Sequence, residues 1–512
     1  MKTGRIFRNI FTIGAFTALS RVLGLVREML QSRIIGAGVE QSAFTLAFAL
    51  PNTARKLFGE GALTAAFVPV FKSEMENFSQ ERAQRLARSV MTMSLMMLGS
   101  IVALSFLGLE CFTFWRGEQT FSPRMLLTLK LVKTLLPYMI FICGAAFGMG
   151  VLNALGRFKA SSAMPCLLNL VWIASLLWLC FCPDLSLEAR VQRVAVAILI
   201  AGALQFLFMA WRMSRAGVKA LPSFKGWRDG SVRKVWRNTA LAAVGAGAVQ
   251  INYMLDQLLA QCAAPWAAGV IGYAERLMDL PLGIVGVAFG TVLLPTFAGF
   301  FAKNDLAGAQ GALSSSLRAL MLVMLPASAG LFVLAPEITS VIYEGSAFDA
   351  TATLRVSRSV AVYAVGLGFF GFQKSLVPWF QAQNDMKTPL RVSLCTVAMN
   401  AALNILAVVL LPQEWRHVGL AGSTVVCAGA GCALLAVAAR RKNGALGLGA
   451  IVGDLIWIAI SSLTMGFAVW KAKALFTDVN AIVALAAQIV LGAAVYGALT
   501  FKMICGKKGI KP

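Results

Sequence analysis

SRVLGLVREMLQSR, residues 20–33, lies inside a long apolar segment and yet carries Arg21, Arg27, Glu28 and Arg33. An ionised side chain at bilayer depth costs a few kcal/mol or more, and such residues face a bundle interior or a wet cavity. The setting around the stretch is apolar from end to end. Of the 512 residues, 58% are hydrophobic and 13% charged, against about 25% charged in a soluble globular protein. A mean hydropathy of +0.75 over this length implies many spans rather than one anchor. Apolar runs of about 20 residues, each long enough to cross as a helix, recur throughout. Strands alternating every second residue are absent, which argues against a β-barrel. Lys2, Arg5 and Arg8 followed by residues 9–19 imitate a signal peptide, but the apolar character resumes beyond Arg21 and further spans follow.

The sequence therefore predicts an all-α polytopic membrane protein with fourteen transmembrane helices. They fall near 9–35, 43–71, 88–112, 125–154, 160–182, 192–212, 236–262, 266–301, 311–334, 356–383, 388–411, 417–439, 449–470 and 480–503. Lys and Arg favour cytoplasmic loops. With the N-terminus inside, the inside segments hold 28 of them and the outside segments 10. Both termini are then cytoplasmic, and the net charge of +24 is explained without nucleic acid. With residues at the span ends counted in the loops they border, eight basic residues are left within the spans: Arg21, Arg27, Arg55, Lys56, Lys130, Lys133, Arg276 and Lys374.

The chain resembles itself. LNALGRFKA at 152–160 aligns with FQAQNDMKT at 380–388, an offset of 228. VPVF at 68–71 aligns with LPTF at 294–297, offset 226, and Arg8-Asn9 with Arg237-Asn238, offset 229. These matches suggest two six-helix lobes, related by a pseudo-twofold axis along the membrane normal, with a site between them. The expected divisions are an N-terminal lobe over 1–216, a cytoplasmic linker over 217–235, a C-terminal lobe over 236–443, and a two-helix appendix over 444–512. Helix breakers gather in three spans: Pro51, Gly59 and Gly61 in the second, Pro137, Gly144, Gly148 and Gly150 in the fourth, and Pro281, Gly283, Gly286, Gly290 and Pro295 in the eighth. Such residues permit either bends or close helix packing.

Several chemistries have no support in the sequence. The one histidine, His417, falls in a short outside loop, so a His-based metal site or triad has no materials. The ten cysteines are scattered, and no phosphate-binding GxxxxGK[ST] loop occurs. What stands out is charge in the spans. Arg21 and Glu28, seven apart, share a helix face, with Gly24 between Arg21 and Arg27. The second span offers Arg55, Lys56 and Glu60, and the eighth offers Glu275, Arg276 and Asp279 within YAERLMDLP. Three readings compete: snorkelling near helix ends, structural ion pairs such as Arg21–Glu28 or Arg276–Asp279, and a basic cavity for an anion. Arginine suits the last, because its planar fork gives phosphate two parallel hydrogen bonds.

SRVLGLVRE at 20–28, GAG at 36–38, LPNTARKLFGEGALTAAFVPVF at 50–71 and YAERLMDLPLGIVGVAFGTVLLPTF at 273–297 resemble the MurJ (MviN) family of the multidrug/oligosaccharidyl-lipid/polysaccharide exporter superfamily. The resemblance runs over essentially the whole chain. It implies a flippase, not an enzyme, that carries lipid II from the inner to the outer leaflet of the bacterial cytoplasmic membrane for peptidoglycan synthesis. It also implies a cationic cavity with alternating access, and a lipid-tail groove on the last two helices. Substrate-binding residues implied are Arg21, Arg27, Arg55 and Arg276. Glu28, Glu60, Glu275, Asp279 and Asp256 are candidates for orienting those arginines or coupling an ion. Ser42 stands where the family often has an acid, so no acidic role transfers there, although Glu40 is near. No cofactor is expected beyond a coupling monovalent cation or the membrane potential. Expected partners are lipid II, membrane lipids and cell-wall synthesis proteins, with the chain acting as a monomer. The runner-up cargo is another polyprenyl-linked glycan, or a drug exported in exchange for ions.

Overall fold

A computed structural model describes residues 2–59, 62–218, 223, 229–476 and 478–505. Among them there is no strand, only an isolated bridge between Gly345 and Phe348. The helices follow the apolar runs: α1 Lys2–Ile35, α2 Val39–Ala54, α3 Ala62–Asn77, α4 Gln80–Arg116, α5 Pro123–Leu135, α6 Tyr138–Ala154, α7 Phe158–Cys180, α8 Leu187–Ser214 and α9 Gly230–Ala263. Then come α10 Ala267–Ala302, α11 Leu306–Val333, α12 Ala335–Tyr343, α13 Ala350–Ala382, α14 Lys387–Leu410, α15 Gln413–Asn443, α16 Val452–Ala472 and α17 Ala481–Cys505.

Local chemistry sets several of the starts. A free helix N-terminus leaves backbone N–H groups without partners, and a Ser or Asp side chain supplies an acceptor. Ser79 accepts from Arg82 N at 3.2 Å, Ser122 from Met125 N at 3.3 Å and Ser186 from Ala189 N at 3.3 Å. Asp305 and Asp349 do the same for Gly308 N and Ala352 N, both at 2.7 Å.

Two of the three predicted breaker sites interrupt their helix. The second span is α2, a single π-helical turn over Arg55–Gly59, and α3. The fourth is broken between α5 and α6 at Leu136 and Pro137. The eighth differs: α10 stays helical through both Pro281 and Pro295. The short α12 after α11 was not expected from the sequence. His417 also differs from expectation. It sits in the second turn of α15 and is fully buried, because α15 begins at Gln413 and the loop before it is shorter than the apolar pattern suggested.

Ten helical segments, among the described residues, are long and apolar enough to cross a membrane.

By the packing of its backbone the chain divides into two units. The first comprises Met1–Leu258 with Gly345–Phe348, and the second Leu259–Glu344 with Asp349–Pro512. In the first, α1 packs on α7, α6 on α8, α7 on α8 and α2 on α5. One of its cores gathers Phe44, Leu131, Tyr138, Trp172 and Leu176, and another Phe67, Phe71, Leu86, Phe147 and Met209. In the second, α13 is central, against α10, α11 and α15, and α16 lies on α11 and α17. One of its cores holds Phe297, Leu313, Trp379, Phe380 and Leu435. Large apolar side chains on the outer helix faces, such as Leu104, Leu410, Leu463 and Phe467, are exposed. That suits a lipid solvent, in which apolar surface needs no hiding.

Candidate functional site

The centre of the first unit's site is Arg27. Helix α1 turns it toward α7, and only 13% of its side chain is exposed. Its Nη2 pairs with the Glu28 carboxylate, so the observed ion pair joins neighbours in sequence. Its Nη1 donates to Asn169 Oδ1 of α7 at 3.0 Å. The guanidinium lies 4.3 Å from the centre of the Trp172 ring, one turn further along α7. That indole is held edge-on by Phe44 and Phe48 of α2 at 5.6 and 5.5 Å. Arg27 Nε is buried and has no hydrogen-bond partner in the protein. A fork clamped on one face and at two corners, with a buried donor still unfilled, is a guanidinium set in place to receive an acceptor.

Asn169 has a second bond. Its Nδ2 donates to the Ser20 carbonyl at 3.1 Å, and it approaches α1 again opposite Gly24, where an added Cβ would stand 3.9 Å from that nitrogen. One buried amide thereby ties the backbone before Gly24 to the guanidinium after it. Asn169 and Trp172 were not singled out in the sequence. The available signal was an amide inside the apolar run LLNLVW, since a polar group at that depth needs a partner.

Arg55 opens the π-helical turn of the second span. Its Nε and Nη2 donate to Asn52 Oδ1 at 3.4 and 3.1 Å. A π-turn leaves one residue out of the regular ladder, a feature frequent at functional sites. Lys56, beside it, places its ammonium 5.1 Å from the centre of the Tyr253 ring of α9. One turn along α9, Asp256 Oδ2 accepts from Asn252 Nδ2 at 3.1 Å. The carbonyl oxygens of Asn252 and Gln257 are buried without partners. Arg21 is exposed on α1, Ser42 is fully buried on α2, and Glu40 is half-buried. Glu60 lies outside the described residues. Lys133, one of the span lysines, pairs with Glu110 at 2.7 Å.

In the second unit Glu275 is half-buried, and Arg276 and Asp279 are exposed on α10. Each of the three has an interaction partner. The structure thus brings Arg27 together with Glu28, Asn169 and Trp172, and Arg55 together with Asn52. A cleft of about 550 Å³ in the first unit, between α3 and α9, is lined by Ser73, Glu74, Ser231, Lys234 and Asn238. None of the candidate arginines lines it. The Glu74 carboxylate there accepts from Ser231 Oγ at 2.6 Å and meets Arg82 Nε at 3.5 Å. Among the described residues no cluster of three or more His, Cys, Asp or Glu could hold a metal ion.

A family model described as "Lipid II flippase MurJ" matches residues 31–491. The chain is 30% identical over 426 residues to a probable lipid II flippase MurJ of Rickettsia prowazekii, covering 83% of this chain and 82% of the relative. It is 30% identical over 472 residues to one of Haemophilus influenzae, covering 89% and 90%. Among solved structures, a lipid II flippase MurJ in an inward closed conformation superposes with a TM-score of 0.78 at 23% identity, over 97% of this chain and 99% of that one. An inward-facing multidrug resistance MATE family transporter of the MOP superfamily gives 0.70 at 14% identity, over 83% and 95%, a likeness of fold alone. The long match to the family model and the near-full-length relatives place the chain: it belongs to the MurJ lipid II flippase family.

Proposed function

We propose that this chain carries lipid II from the inner to the outer leaflet of the cytoplasmic membrane by exposing a bound headgroup to the two sides in turn. The observation that carries the reading is the Arg27 guanidinium, pinned by Glu28, Asn169 and Trp172 with its Nε donor unfilled. A pyrophosphate and peptide carboxylates cannot enter hydrocarbon unaided. Arg27, Arg55 and Arg276 bind those anions, with Arg21 assisting. Glu28 and Glu275 orient the forks. The chain crosses the membrane fourteen times with both termini in the cytoplasm, and the polyprenyl tail runs along α16 and α17. Energy comes from the membrane potential, worth about 2.3 kcal/mol per charge per 100 mV, or from a monovalent cation taken up near Asp256. An inside-negative potential favours the outward movement of an anionic headgroup.

The test is depletion with complementation in a host that depends on such a flippase. The chain should restore growth and clear lipid II from the inner leaflet. Variants with Ala at Arg27, Arg55 or Arg276 should reach the membrane and restore neither. Accumulation of a different lipid-linked glycan on depletion would reassign the cargo. Full function in all three variants would end the arginine assignment.

A further inference from the structure

Three helices of the second unit begin side by side. α10 starts after Trp266, α13 after Asp349 and α15 after Pro412, and α13 packs on both of the others. At this end Arg355 and Arg358 stand one turn apart on α13. The Arg355 guanidinium lies 3.9 Å from the centre of the Trp266 ring, and that of Arg358 4.5 Å from the Trp415 ring. Both act electrostatically on the same side chain, His417. That histidine is fully buried, and its ring meets Trp266 edge-on at 5.0 Å.

In this unit Arg318 pairs with Asp454, Lys442 with Asp385 and Lys473 with Glu337. None includes Arg355 or Arg358. At this end Asp349 caps α13 through Ala352 N, and Glu344 accepts from the Thr353 hydroxyl at 3.2 Å. Glu414 is exposed at the start of α15. A guanidinium stacked face-on upon an indole keeps its in-plane N–H donors open. Helix N-termini add positive potential at the same place.

We infer that Arg355 and Arg358, stacked on Trp266 and Trp415, form a second anion site, and that its ligand is the phosphoryl headgroup of a membrane-borne lipid. Two arginines three residues apart on one helix face, with Cβ atoms about 5–6 Å apart, can offer two planar forks to paired phosphoryl groups or a diphosphate. Trp415 is 45% exposed, and an exposed indole at a helix end settles at headgroup depth, so the membrane presents the ligand. The inference rests on the proposed topology only for the leaflet, which is the outer one. The site is therefore where a headgroup leaving the transporter, or a neighbouring phospholipid, is met.

The experiment counts lipids bound to the full-length protein in nanodiscs by native mass spectrometry. A polyprenyl diphosphate and phosphatidylglycerol are titrated separately. All titrations are repeated in the Arg27→Ala background, which silences the first unit's site. Arg355→Gln with Arg358→Gln should weaken binding of one lipid class about tenfold or more in that background. Arg355→Lys with Arg358→Lys, which keeps charge and loses the fork, should fall between. Loss confined to the diphosphate names the cargo headgroup as ligand, and loss confined to phosphatidylglycerol names an ordinary phospholipid. Unchanged binding of both lipids in the Gln and Lys variants overturns the site. Because binding is read without transport, that failure leaves the Arg27 reading standing, and a failure of Arg27 in complementation leaves this site standing.

Discussion

The two units treat buried charge in opposite ways. In the first, Arg27 is enclosed: 13% of its side chain is exposed, and α7 supplies an amide and an indole to hold it. In the second, Arg276 is exposed on α10, and Arg355 and Arg358 are stacked near helix starts without ion pairs. Holding a guanidinium at depth costs desolvation, which fixed partners offset in advance. Arg27 is thus held in place by the protein itself, whereas Arg276 stands exposed on α10. The contrast shows that the charged motif near the N-terminus depends on neutral residues more than 140 positions away.

The largest expected effect tests that contrast directly. Arg27→Ala should abolish growth support in the complementation assay, and Arg27→Lys should do nearly the same. An ammonium cannot bond Glu28 and Asn169 at once while lying flat on Trp172. Arg276→Lys, in an open setting, should keep part of the function. If Arg27→Lys supports growth as well as Arg276→Lys does, enclosure is not what makes Arg27 special.

Next comes Asn169→Leu, close in volume and lacking both hydrogen bonds. It leaves the Ser20 carbonyl without the side-chain donor and Arg27 Nη1 without its acceptor. Thermal unfolding in detergent should show a loss of about 1–3 kcal/mol. The same exchange at Asn252 of α9, which bonds only its neighbour Asp256 along the helix, should cost less. Equal losses would mean that the link between α1 and α7 adds nothing.

A smaller effect separates two matching turns. LNALGRFKA and FQAQNDMKT, paired by sequence alone, fold alike. Gly156 has φ 72° and Asn384 φ 56°, and the offset between them is the predicted 228. Arg157 N donates to Leu152 O at 2.8 Å, and Asp385 N to Phe380 O at 3.0 Å, the same six-residue closure after a helix. Gly156→Ala should cost about 1–2 kcal/mol through its left-handed backbone alone, since no atom lies within 4 Å of the added carbon. Asn384→Gly should be close to neutral, because asparagine already tolerates that conformation. Comparable losses in melting temperature would refute the equivalence.

These turns also show what the sequence could carry. Apolar runs placed the helices, because lipid imposes a length and a composition on each crossing. The repeat survived as backbone handedness, with Gly in one unit and Asn in the other. Charges in the first two spans picked out Arg27 and Arg55 as candidates, and the breakers in the second announced the interruption at Arg55. Less visible was anything that needs two distant segments at once. The partners of Arg27 sit in a run whose composition reads as plain membrane helix. Glu28 shares a helix face with Arg21 in sequence, and its carboxylate also meets Arg27, its neighbour along the chain, whose fork α7 holds beside it. Pro281 and Pro295 read as breaks, yet α10 continues through both.

The least effect, and the sharpest contrast between the units, concerns protons. The residues that follow the left-handed position differ: Arg157 in the first unit, Asp385 in the second. Arg157 Nη1 donates to the Arg215 carbonyl at 3.2 Å, and a guanidinium keeps its charge at any working pH. Asp385 accepts from Lys442 Nζ at 2.9 Å and from Thr388 N at 3.0 Å. Those bonds, that of Lys442 foremost, lower its pKa from 3.8 to about 2. The ionised form is the one bound in the folded state, so its contribution is complete above 3.8 and fades as pH falls toward 2. Lys442 is 40% exposed, so solvent screens the pair and the loss is small. Melting temperature followed down through this window should fall slightly more in the parent than in Asp385→Asn, which has no carboxylate to protonate. Arg157→Gln should leave the slope unchanged. If the Asn variant keeps the full acid sensitivity, the protons are taken up elsewhere, and the two turns do not differ in how they answer to pH.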